Sequence, residues 1–167
     1  MFRLLENVKI MQALEPQIGA VAAVEGDWIS CPLYHLVYVV ISYDQGDATD
    51  ITWRVNKAPL VSGASAVPVT QTMNIWSNLD TGTSDLLVKR TSAVSYASGA
   101  GATPKQIVLE VDPRALSDLA GVAYTAVQGV SVTNIAITST AAISYILQPR
   151  FQKEVANMDS ALTDYGA

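Results

Sequence analysis

Charge is what this chain has least of. Asp, Glu, Lys and Arg make up only 15% of its 167 residues, against about a quarter in an ordinary soluble domain. Half the residues are hydrophobic. The surface must therefore be covered by Ser, Thr, Ala, Gly and Asn, or hidden against other chains. Interfaces lose charge at their centres, so this scarcity points towards a large assembly. The net charge of −5 argues against a generic binder of phosphate backbones, which needs a basic face; no nucleic-acid partner is expected. Cys31 is the single cysteine, which rules out an internal disulfide. His35 is the single histidine, and with only Cys31 nearby in sequence it cannot complete a zinc site or a catalytic triad. It reads as a packed or edge histidine. Ser84-Asp85 and the Gly-Ser loops lack the strand–elbow–helix setting of a nucleophile, and no glycine loop cradles a phosphate. No catalytic residue, cofactor or enzymatic activity is expected.

Two membrane signals are also missing. Glu6, Asn7 and Lys9 interrupt the first apolar residues too early for a secretory leader. Residues 119–149 carry no charge but are studded with Gln128, Asn134, threonines, serines and glycines. That composition suits strands rather than a spanning helix, and no membrane partner is expected.

What is present is alternation. Residues 34–43 form an apolar run in which Leu36, Tyr38 and Val40 share one face of a strand and Val37, Val39 and Ile41 the other. With both faces apolar, this strand belongs in the middle of a sheet, covered on each side or facing a partner. It is expected to pair with the half-exposed strand that follows it, where Ile51, Trp53 and Val55 oppose Thr52, Arg54 and Asn56. Residues 58–70 read as a loop or edge segment, because Pro59 and Pro68 do not suit a central ladder. Further strands are expected at 18–24, 72–76, 86–91, 107–111, 122–127, 130–137 and 141–147. A mobile loop is expected at 92–104 and a helical turn after Asp112-Pro113. Eight to ten short strands with scarcely a helix between them give an all-β fold, a single-domain, jelly-roll-like β-sandwich over residues 18–149.

The ends read as short arms. Leu4, Val8 and Met11 follow one stripe, which predicts a helical N-terminal arm over residues 1–17, its helix stopped by Pro16 at about Glu15. A helix that short needs something to dock on. In the C-terminal arm, residues 150–167, Phe151, Val155, Met158 and Leu162 stand at helical spacing. Phe2, Leu4, Leu5, Val8 and Met11 at one end, and Arg150, Phe151 and Val155 at the other, are the candidate interface residues. Asp44, Asp47 and Asp50 are the weak candidates for a hard cation such as calcium. Their spacing departs from the EF-hand loop, and a solvated hairpin loop favours the same residues. Trp28, Trp53 and Trp76, with Tyr34, Tyr38 and Tyr43, could stack on sugars or bases, although core and interface aromatics are commoner.

Five segments taken together resemble small virion proteins of tailed bacteriophages, of the capsid decoration or cement type. They are Gly26-Asp27-Trp28-Ile29-Ser30, the Tyr34-His35-Leu36-Val37-Tyr38-Val39-Val40-Ile41 strand, Ile51-Thr52-Trp53-Arg54-Val55-Asn56-Lys57-Ala58, the Ile107-Val108-Leu109-Glu110-Val111-Asp112 strand, and the run from Ala141 to Phe151. The resemblance covers roughly residues 19–151. It implies a β-sandwich that binds the phage head shell. Its implied partners are the major capsid protein and copies of itself, a trimer being favoured, and its implied place is the capsid surface of the virion, reached from the host cytoplasm. A tail or connector component, and a carbohydrate-binding sandwich, are the alternative expectations.

Overall fold

In the computed structural model, residues 8–19, 23–117 and 122–150 are described. Among these residues eleven strands fall in this order: β1 (Lys9–Ile18), β2 (Ile29–Ser30), β3 (Tyr34–Asp44), β4 (Thr52–Ala58), β5 (Val67–Pro68), β6 (Met73–Asn78), β7 (Val88–Ala93), β8 (Ser95–Ala97), β9 (Pro104–Val111), β10 (Ala126–Ser131) and β11 (Thr140–Pro149). The helical element among the described residues is one 3-10 turn, Pro113–Ala115, opened by the Asp112 carboxylate accepting from the Arg114 N–H. Every ladder is antiparallel. A six-stranded sheet runs β1-β11-β3-β9-β6-β7, and a five-stranded sheet runs β2-β10-β4-β5 with β8 also on β4.

The pairings are nested. β1 pairs with β11, β2 with β10, β3 with β9 and β4 with β8. The chain is thus one long hairpin folded back at the β4–β8 tip. Rolling that hairpin up brings β11 onto β3 and β10 onto β4, which closes two facing sheets. This is the jelly-roll arrangement of eight strands. Strands β5, β6 and β7 are an excursion at the tip. β6 continues the larger sheet beyond β9, and β7 forms its outer edge.

Period-2 alternation fills the space between the sheets. Val37, Val39 and Ile41 of β3, Ile107, Leu109 and Val111 of β9, and Ile143, Tyr145 and Leu147 of β11 are all fully buried. Trp53 and Val55 of β4 and Val127 of β10 meet them from the other sheet. Burial of each such side chain stabilises the fold by about 1.5–3 kcal/mol. The Tyr43 and Trp53 rings contact edge to face across the layers, centroids 5.5 Å apart at 68°. Gly129 lets the sheets close at one point: a Cβ there would lie 2.6 Å from Val39 Cγ1.

Two inward-pointing lysines close the ends of this core. Lys105, 3% exposed, donates to Gln45 Oε1 at 2.6 Å, Gly99 O at 2.8 Å and Ser98 O at 2.9 Å. Burial holds its ammonium below the ordinary lysine value, an effect partly offset by Asp50. At the far end of β9, Lys57 is equally buried. It donates to Leu116 O at 2.7 Å and lies 4.1 Å from the Tyr124 ring centroid.

Five expectations are corrected. Residues 9–17, expected in a helical arm, belong to β1, paired with the edge of β11 and interrupted by register shifts around Leu14. Long-range pairing overrides the local stripe, and Pro16 is tolerated because β1 is an edge strand. The β3 strand does not pair with β4; the two lie in different sheets. In place of the expected strands at 122–127 and 130–137 there is one short strand, β10, and residues 122–125 and 132–137 are not strand. The loop expected at 92–104 contains β8 and the fully buried Ser98, which holds Ile51 and Lys105. In the segment expected as a strand at 18–24, residues 23 and 24 are not strand and residues 20–22 lie outside the described residues.

Candidate interaction surface

The outer face of the six-stranded sheet carries the side chains that the core leaves over. Register places them in rows. Ser144, Val40, Val108 and Trp76 line up across β11, β3, β9 and β6, and Ile146, Tyr38, Glu110 and Asn74 form the next row. β1 adds Ile10 opposite Ile146. Val40, Val108, Trp76, Tyr38, Ile146 and Leu36 are each half-buried, and Ile10 is 49% exposed. They make one continuous apolar band across the middle of the sheet, uncovered by other described elements. Trp76 is flanked by Lys89, whose Nζ lies 5.7 Å from the ring centroid, a cation–π distance.

A polar thread crosses the band. Asn74 Nδ2 donates to Glu110 Oε1 at 2.7 Å, and Ser92 Oγ donates to Asn74 Oδ1 at 3.2 Å. The Tyr38 hydroxyl is held above the ordinary tyrosine value, first by burial and then by the adjacent Glu110 carboxylate. The thread fixes side-chain geometry on an otherwise greasy surface. At one end the face deepens into an open trough of about 500 Å³ bordered by Ser42, Asp44, Asp85, Gln106 and Thr140.

The residues singled out from sequence do not gather at one place. Val8 is buried at the entry to β1, and Met11 packs against the core as the register partner of Tyr145. The sandwich itself therefore takes up the Met11 side chain. Arg150 prolongs the β11 ladder: its N–H donates to Leu33 O and its Nε to Tyr34 O, each at 3.0 Å. Phe2, Leu4, Leu5, Phe151 and Val155 lie outside the described residues. Asp47 accepts from the Thr49 N–H and hydroxyl, Asp50 from the Gly99 N–H, and Asp44 stands at the end of β3. The Asp47 and Asp50 carboxylates are used locally, and among the described residues no three His, Cys, Asp or Glu side chains converge on a metal position.

Cys31 is buried, its thiol donating to Thr125 O at 3.2 Å, and burial pushes it up to about 12. A thiol held in that state is a weak nucleophile. Trp53 is in the core and cannot stack on a ligand, whereas Trp76 lies on the outer face. Sequence reasoning missed Ile10, Val108 and Ile146. The signal for the face was the β3 run, apolar on both sides.

By its topology the protein is an antiparallel jelly-roll sandwich with a two-stranded extension of its larger sheet. Among solved structures, the SPBc2 prophage-derived protein YomS is similar over 84% of this chain and 92% of its own, at 11% identity and a TM-score of 0.46. No protein-family model matches the sequence, and no curated protein is significantly similar to it.

Proposed function

We propose that this protein is a structural component of a virus particle, a decoration or cement protein that binds a phage head shell and stabilises it through contacts between neighbouring copies and the major capsid protein. The observation that carries this reading is the apolar band on the broadest sheet of an otherwise well-packed sandwich. Free monomers seldom leave such a continuous patch uncovered, and the low charge of the chain fits a subunit whose surface is hidden on assembly. The jelly roll is also an architecture used by capsid proteins, a fold-level analogy that supports the reading without deciding it.

The test is co-sedimentation of purified protein with undecorated head shells of the parent particle. Saturable binding at a fixed ratio to the shell subunits is the expected result. Protein that stays in the supernatant with heads but pellets with tails would move it to a tail or connector role. The trough beside Asp44 and Gln106 gives a carbohydrate-binding reading its foothold. Glycan binding lost in Trp76→Ala, with no binding to shells, would favour that reading instead.

A further inference from the structure

We propose that the apolar band on the six-stranded sheet is the docking site for residues 151–165 of a second copy of this chain. The inference deepens the assembly reading above by naming how one copy grips the next.

Three observations converge on it. The first is the direction in which the chain leaves. Pro149 still pairs with Tyr34, and Arg150 is fastened to Leu33 and Tyr34 by two hydrogen bonds. The ladder of β11 is thereby continued past the end of the apolar rows, so at Arg150 the chain is heading away from its own band. Reaching it in the same copy would demand a reversal directly after a pinned residue.

The second is the sequence beyond that point. Phe151, Val155, Met158, Leu162 and Tyr165 are spaced by four, three, four and three, one apolar stripe separated by Lys, Glu, Asn, Asp and Ser. A single stripe of this kind has nothing to bury itself on unless another surface receives it. The third is chemical match. The band offers Ile10, Leu36, Val40, Val108, Ile146 and Trp76, and the charged groups beside it, Lys89 and Glu110, sit at its margin or are already engaged. A segment given by one copy and received by the next makes a head-to-tail contact, which gives a ring where the rotation between copies closes and a filament where it does not.

The experiment uses the full chain and needs no head shells, so its failure and that of the shell-binding reading are separable. Light scattering after size exclusion should show an oligomer for the wild type. It should show monomer, or self-association about tenfold or more weaker, for Val155→Asp/Leu162→Asp and for Val40→Lys, with circular-dichroism melts confirming that each variant is folded. Independently, Val40→Cys and Val155→Cys chains mixed under oxidising conditions should give a disulfide-linked pair, Cys31 being buried, while neither chain alone does. A monomeric wild type overturns the proposal. So does an oligomer indifferent to Val155→Asp/Leu162→Asp, and so does a Val40→Cys/Val155→Cys chain that links only to itself.

Discussion

At the scale of single residues, the fold depends on a few polar groups that the apolar core must satisfy. Tyr145 is buried at the centre of the interface between sheets, where its hydroxyl accepts from the Gly129 N–H at 3.0 Å and donates to Asp27 O at 2.8 Å. Tyr145→Phe removes both hydrogen bonds and takes from the buried Gly129 N–H its side-chain acceptor, and should cost about 1–3 kcal/mol in urea unfolding. Lys105→Met removes three hydrogen bonds at the end of the core, leaving the Ser98 and Gly99 carbonyls without their donor while Gln45 Oε1 keeps the Ser98 hydroxyl, and should destabilise by a similar amount, about 1–3 kcal/mol. Lys57→Met should cost less, because a single carbonyl accepts from Lys57. Alkaline pH tests another buried group. The Cys31 thiol, raised from 9.0 to about 12, keeps its proton in the folded state where the unfolded chain has released it. Its contribution is therefore fully present below pH 9.0 and is lost as pH climbs towards about 12. Tyr145, Tyr43 and Tyr38, also raised, act in the same sense above 10, while the lowered Lys105 opposes them. Chemical denaturation across this range should show a shallower alkaline loss in Cys31→Ala than in the wild type.

At the scale of elements, β1 separates two accounts of the N-terminus. A helical arm could be removed without harm to the sandwich. An edge strand ten residues long could not, because its loss bares the β11 edge and the inward Tyr145 and Leu147 beside it. Deleting residues 1–18 should lower Tm by roughly 10 °C or more, several kcal/mol at 2–4 °C each, and should promote aggregation. An unchanged melting curve would contradict the pairing. Most inward positions of β3, β9 and β11 could be read from alternation alone, since Val37, Leu109 and Ile143 announce their face by spacing of two. Which strands became neighbours could not. Tyr43 and Trp53 lie close in sequence yet belong to opposite sheets, and nothing local to either states it.

At the scale of the whole molecule, nesting has a kinetic consequence. The first strand pairs with the last, and Lys9 finds Leu147 as its partner. Few contacts reward the chain before long loops have closed, so folding followed by stopped-flow fluorescence should take on the order of milliseconds to seconds rather than microseconds. The same topology builds the candidate surface. Ile10, Ile146, Tyr38, Val108 and Trp76 come from five separate strands and share a face only because the hairpin rolls up and the β6 extension joins it.

The sequence by itself determined the all-β class, the absence of internal disulfides, and the face on which most strand residues lie. Those properties follow from composition and from a repeat of two, both local to the chain. Only the tertiary structure decided that residues 9–18 are strand, that β3 and β4 part company, and that seven scattered apolar residues form one band. Each depends on hydrogen-bonding partners supplied by distant segments, and a backbone edge accepts whichever strand the completed roll brings to it.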